Sequence, residues 1–337
     1  MTNASVSGSA APDRFVRIVE EGPREGFQTE ATVIATADKI ALIEALADAG
    51  LGEINCASFT NRQQMPQMAD AEAIFAGLAR RGGVRYTGLW LNLKGFERAR
   101  ASGADLVATL ATSASETFGL RNNQRDRAGM LEAQRALGAA YVGAGLTRAT
   151  GYVFTAFGCN FEGAIPASQV VSSVSDLLQV GQECGIGYDA MVLCDTIGAG
   201  TPASVRAALG AVRSRWPALE LALHLHDTRG LGLANALEGL RLGVRRFDTS
   251  VAGLGGCPFA GNRGAAGNVC TEDFAYLCAQ EGYETGLDLE RLIACASLAE
   301  RIVGHPLPGK LKNAGPFGRH ATRSSPSTLP VSCRPAA

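Results

Sequence analysis

The sequence is 337 residues long and 46% hydrophobic, and its 31 Lys and Arg against 32 Asp and Glu leave a formal charge of -1. That much apolar content supports a sizeable core, and the near-neutral balance gives no electrostatic footprint for nucleic acid or an anionic membrane. Length alone fits one large domain or two ordinary ones.

Residues 1–13 have neither the basic nor the apolar region of a secretory signal and are read as a disordered N-terminus. From about residue 15, apolar β-branched runs alternate with helical patterns. The predicted strands are 16–20, 53–57, 86–91, 106–111, 149–155, 191–195, 221–227 and 247–253, with helical periodicity between them as in 37–49 and 203–213. Eight strands, each followed by a helix, are what an α/β fold of the (β/α)8 TIM-barrel type requires in about 250 residues. A doubly wound sheet has the same alternation, and the count of eight favours the barrel. A Gly-rich stretch then runs to Asn268, a helical extension follows from about 271 to 303, and 313–337 lacks acids and periodicity, so it is read as a disordered tail. The barrel domain is thus expected over 14–305.

No apolar run approaches the length of a membrane span. The nine cysteines, Cys56, Cys159, Cys184, Cys194, Cys257, Cys270, Cys278, Cys295 and Cys333, are scattered and form no CxxC pair. They read as reduced thiols of an intracellular enzyme, and the expected compartment is the cytoplasm, with no membrane or nucleic-acid partner.

In a barrel, chemistry belongs at the C-terminal ends of the strands. His224 and His226 end the seventh strand in LALHLHDT, two residues apart and so on one face. Neutral imidazoles there suit a divalent metal, and two hydrogen-bonded core histidines are the bland alternative. The first strand runs into GPREG, where Arg24 and Glu25 offer a planar donor for an oxygen and a carboxylate for a metal. An ordinary Arg–Glu neighbour pair is the alternative. Cys257 lies in the Gly-rich loop as either a proton-exchanging thiol or a structural cysteine. Asn268 is either a helix cap or an oxygen ligand to a hard cation. Asp195, in CDTIGAGTP, reads equally as a group behind the metal or as an acidic cap.

Taken together and in order, GPREGFQTE, SFTNRQQMPQMAD, NLKGFE, GYVFTAFGCNFEG, DTIGAGTP, HLHDT and VAGLGGCPFAGNRGAAGNVCTED resemble the 3-hydroxy-3-methylglutaryl-CoA lyase family of metal-dependent TIM-barrel enzymes. The resemblance implies retro-Claisen cleavage of a tertiary 3-hydroxyacyl-CoA. It implies a Mg²⁺ or Mn²⁺ held by Glu25, His224, His226 and Asn268, with Arg24 stabilising an enolate and Cys257 serving proton transfer. Arg24, Asn55 and Asp195 then become the substrate-binding residues. The chain departs from the family pattern at Glu25, where an aspartate is usual, and at Asn55, where an acid is usual. It departs again at Asn160, where a proline is usual, and in two extra residues at Asn262-Arg263. These changes leave citramalyl-CoA or a longer-branched glutaryl-CoA open as substrates. A Claisen-type condensing enzyme, an inactive acyl-CoA-binding barrel and assembly with copies of itself also remain open.

Overall fold

The computed structural model describes residues 14–255 and 267–317. Its eight principal strands are β1 (Arg17–Glu20), β2 (Glu53–Ser58), β3 (Arg85–Leu89), β4 (Thr109–Ser113), β5 (Arg148–Phe154), β6 (Gly187–Cys194), β7 (Leu221–His224) and β8 (Arg246–Thr249). Neighbours follow the order β3-β2-β1-β8-β7-β6-β5-β4, all parallel. The first and last strands are therefore adjacent, with Arg17 beside Arg246 and Glu20 beside Thr249, as a sheet rolled into a barrel requires. At the seam between β3 and β4, the Asp105 N–H donates to the Tyr86 carbonyl at 2.9 Å and the Tyr86 N–H donates to the Asp105 carboxylate at 2.7 Å.

Alternation along each strand separates two environments. In β7, Leu221 and Leu223 join the core beneath the helices, while Ala222 and His224 face the barrel interior. In β6, Met191 and Leu193 face the helices, while Ala190, Val192 and Cys194 form an apolar interior wall with Tyr152 and Phe154. The helices bury matching stripes; Ala167–Cys184 sets Val170, Val174, Leu177 and Val180 against the sheet. Its end is a left-handed cap at Gly185, φ 77°, a conformation open to glycine without a Cβ penalty. Pro202–Arg215 starts at a Thr201/Ser204 pair in which each side chain accepts the other's backbone N–H, and proline occupies the first turn, where no N–H is needed.

Several predicted boundaries move, the sixth strand among them, which begins at Gly187 rather than 191. The fourth strand begins at Thr109 rather than 106, because the chain before it is held at the seam by Asp105. The seventh and eighth strands end at His224 and Thr249, because the backbone beyond leaves the parallel ladder: His226 pairs with Asn268 and Ser250 with Cys270 in single bridges. The helical extension divides into Thr271–Gln280 and Leu289–Val303, separated by a turn through Gly282 at φ 75° and by the Asp288 cap. A short helix, Leu311–Ala314, extends ordered chain into the start of the stretch read as tail. Residues 1–13, 256–266 and 318–337, with Cys257, Asn262 and Arg263, lie outside the described residues.

Candidate metal centre at the barrel mouth

Beyond Glu20 the chain enters a wide helical turn, Gly22–Gly26, in which the Phe27 N–H reaches back to the Gly22 carbonyl. The turn aims Arg24 and Glu25 over the C-terminal end of the barrel. Glu25 Oε1 lies 3.1 Å from His226 Nε2 and 3.7 Å from His224 Nε2, and the two Nε2 atoms are 3.2 Å apart. The second carboxylate oxygen, Oε2, takes Arg24 at 3.0 Å. Behind the trio, Asp248 on β8 lies beside His224 on β7, and its carboxylate is 3.2 Å from His224 Nδ1, fixing the ring so that Nε2 faces Glu25.

Asn268 stands beside His226. It is directly opposite His226 in an antiparallel bridge, so the two side chains share a face. It is 1% exposed, and neither of its amide atoms has a hydrogen-bond partner among the described residues. Buried amides are normally satisfied, so an orphaned one next to two imidazoles and a carboxylate fits a site built for a ligand.

Charge points the same way. Glu21 and Glu25 set two carboxylates against the Arg24 guanidinium, and Asp248 adds a third beside His224, with Arg246 acting on both Asp248 and Glu21. Burial pushes Glu21 up to about 7, with Asp248 and Glu25 adding to the rise against Arg24. Burial alone would lower His224, yet Glu25 and Asp248 push it up to about 10. Glu25 goes the other way: burial opposes its charge, but Arg24, His224 and His226 hold it well below the ordinary value. The cluster is short of positive charge, and protons or a cation can supply it. Cis ligands of a six-coordinate Mg²⁺, roughly 2.1 Å from the ion, stand roughly 3 Å apart, which is the spacing of these donor atoms. The spacing of Glu25, His224 and His226, with the orphaned Asn268 amide beside His226, thus fits a hard divalent cation.

The HMGL-like family model matches residues 15–299. The chain belongs to the HMGL-like family. It is 38% identical over 295 residues to the hydroxymethylglutaryl-CoA lyase of Bacillus subtilis, a match covering 88% of this chain and 95% of that protein. The crystal structure of hydroxymethylglutaryl-CoA lyase from Pseudomonas aeruginosa superposes with a TM-score of 0.83 at 38% identity, covering 90% of this chain and 98% of that one. An HMG-CoA lyase from Acinetobacter baumannii, solved in complex with coenzyme A and 3-methylmalate, gives a TM-score of 0.83 at 36% identity, covering 92% and 98%. The eight parallel strands of this HMGL-like chain are the TIM barrel expected from its sequence.

The structure brings together Arg24, Glu25, His224, His226 and Asn268, and it adds Asn55, whose Nδ2 donates to Glu21 Oε2 at 3.0 Å. Asp195 is 1% exposed; its carboxylate accepts the N–H groups of Ala199 at 2.8 Å and Gly200 at 3.0 Å, shaping the loop that enters Pro202–Arg215, and it also interacts electrostatically with His226. These bonds lie in the loop before the helix, whose cap is the Thr201 side chain.

Sequence reasoning missed Glu20, Glu21 and Asp248. Glu20 ends β1 and Glu21 follows it, and the two side chains face opposite sides. Glu20 is fully buried; its Oε1 accepts the N–H groups of Gly22 and Val251, each at 2.8 Å, and its Oε2 accepts the Thr271 hydroxyl at 2.6 Å. It thereby clamps the Arg24–Glu25 turn to the chain entering the Gly-rich loop. Position 22 is glycine because a Cβ there would come within 2.6 Å of Glu20 Oε1. The signals available were the doubled acid before a Gly-Pro turn and an aspartate within an apolar strand, where that residue is depleted.

Proposed function

We propose that this chain is a divalent-metal-dependent carbon–carbon lyase that cleaves 3-hydroxy-3-methylglutaryl-CoA to acetyl-CoA and acetoacetate. What carries the reading is the convergence of Glu25, His224 and His226 beside Arg24, in a chain whose relatives at similar length bear the name hydroxymethylglutaryl-CoA lyase. The acyl-CoA substrate is favoured by the coenzyme A bound to the Acinetobacter relative.

Glu25, His224, His226 and Asn268 would hold the cation. The chemistry that a bound Mg²⁺ or Mn²⁺ supplies there is Lewis-acid polarisation of substrate oxygens and a lowered hydroxyl pKa. In the cleavage, the tertiary hydroxyl gives up its proton and becomes the ketone carbonyl. The carbon–carbon bond breaks, and its electron pair passes to the thioester as an enolate. Arg24, anchored on Glu21 and Glu25, presents a guanidinium edge to the enolate oxygen, where charge develops. Proton return to the enolate carbon falls to the Gly-rich loop, for which Cys257 is the candidate group. Asn55 and Asp195 remain candidates for substrate binding through the groups they hold in place. The apolar wall of Val192, Cys194, Tyr152 and Phe154 lines the interior beside the charged groups, with Cys194 in register with His224. No helix among the described residues is long and apolar enough to cross a membrane, and the cytoplasm is the compartment we propose.

The test is direct. Purified protein with Mg²⁺ or Mn²⁺ is given 3-hydroxy-3-methylglutaryl-CoA, citramalyl-CoA and a longer-branched glutaryl-CoA, with and without EDTA, and the keto product is measured. Cleavage of the first substrate that EDTA abolishes supports the reading. Metal-loaded, folded protein that cleaves none of them overturns it, and preference for another member of the panel reassigns the substrate.

A further inference from the structure

Arg24 has two carboxylate partners among the described residues, and they have different duties. Glu25 divides its oxygens, giving Oε2 to Arg24 at 3.0 Å and turning Oε1 to His226 at 3.1 Å. Glu21 is 3% exposed and gives Oε2 both to the other guanidinium nitrogen of Arg24 and to Asn55 Nδ2 at 3.0 Å. The pairing of Glu20 with Ile54 puts Glu21 and Asn55 on the next rung of β1 and β2, so the carboxylate and the amide approach the guanidinium together.

We propose that Glu21 is a positioning residue: with Asn55 it holds Arg24 away from Glu25, keeping the Glu25 carboxylate free for a cation and an edge of Arg24 free for a substrate oxygen. Without the Glu21 charge, the buried guanidinium has Glu25 as its only carboxylate partner among the described residues, and it competes with the cation for that carboxylate. A buried ion pair kept only for stability would have no such effect on cation binding. The inference rests on the lyase reading for its kinetic readout and is independent of it for its cation readout.

The experiment measures Mn²⁺ affinity by calorimetry and, on the Mg²⁺ enzyme, kcat and KM. E21Q is expected to weaken Mn²⁺ binding and lower kcat, each about 10- to 100-fold, the usual cost of losing a group that orients a ligand, with KM within about threefold. The double variant E21Q/N55E returns a carboxylate to the same guanidinium from the neighbouring strand and is expected to recover both to within about tenfold of the native protein. In an Arg24→Met background, E21Q is expected to weaken Mn²⁺ binding no further, because its effect runs through Arg24. Native Mn²⁺ affinity and kcat in E21Q overturn the proposal, as does a swap no better than E21Q, or an undiminished Glu21 effect in the Arg24→Met background. If E21Q does not fold, the swap decides: folded and recovered supports the proposal, and folded but impaired, or unfolded, overturns it. If the native protein cleaves none of the substrates, the lyase reading fails, and the Mn²⁺ measurements still judge Glu21.

Discussion

His226 and Asn268 face each other across a single antiparallel bridge that joins the end of β7 to the segment following the Gly-rich loop. The bridge ties the loop's return to the two-histidine strand end. The Leu225 carbonyl accepts the Val269 N–H at 2.9 Å, and the Gly267 carbonyl accepts the Asp227 N–H at 2.8 Å. An amide side chain, which the sequence leaves far from the histidines, is thereby fixed beside them.

Truncating the donors at this bridge should therefore act on the cation before it acts on the fold. Asn268→Ala removes a buried amide that has no partner among the described residues, so its melting temperature should stay close to native while Mn²⁺ affinity falls roughly tenfold or more. His226→Ala should abolish metal-dependent cleavage. Calorimetric Mn²⁺ titration checks the first and the keto-product assay checks the second; full activity in His226→Ala contradicts the donor assignment.

Asp248 works through His224. In Asp248→Asn the neighbour at 3.2 Å can present its N–H₂ or its oxygen to Nδ1, and the carboxylate that selects the ring orientation is gone. Loss of such a partner typically costs about 10- to 100-fold in metal affinity or activity. Parallel measurement of Mn²⁺ affinity and kcat tests this, and native values for both would show that the neighbour has no orienting role.

Cation binding should release a proton. With His224 pushed up to about 10, its imidazole is charged at neutral pH and must become neutral to ligate. The raised value sets the sign: each unit of rising pH removes a competing proton, so apparent Mn²⁺ affinity should climb up to about pH 10 and level off above it. Calorimetry in two buffers of different ionisation enthalpy counts the proton released; zero release contradicts the charge argument.

Glu20 should reveal itself in stability. Burial pushes its carboxyl up from 4.5 to about 8 despite the hydrogen bonds from Thr271, Val251 and Gly22. A folded-state value above the unfolded one means a contribution fully present below pH 4.5 and lost as pH rises through about 8. Glu20→Gln keeps an acceptor for the two backbone N–H groups and should flatten this slope. Glu20→Ala orphans the buried N–H groups of Gly22 and Val251, at roughly 1–3 kcal/mol each, while the Thr271 hydroxyl keeps Thr249 as a partner. Urea unfolding of both variants between pH 5 and 9, roughly the span set by these values, distinguishes the outcomes.

Much of this was legible in the sequence, for identifiable reasons. The strands announce themselves as β-branched runs, and the histidine pair by its spacing of two, because strand geometry translates directly into sequence period. Glu21 and Asp248 escaped because their roles depend on which strand lies alongside. Asp248 matters because β8 sets it beside His224, and Glu21 because β2 brings Asn55 to it. Inter-strand register is not written in any one segment. Asp195 was ambiguous for a related reason: its hydrogen bonds to Ala199 and Gly200 depend on a loop path that periodicity does not encode. Cys257 lies outside the described residues and keeps the role proposed for it.

The most direct measurement is anomalous scattering from crystals of the protein grown with Mn²⁺. One peak within coordination distance of Glu25 Oε1, His224 Nε2, His226 Nε2 and the Asn268 side-chain oxygen is the expected result. A manganese bound elsewhere, or those four side chains turned apart around an empty mouth in saturating Mn²⁺, would contradict it.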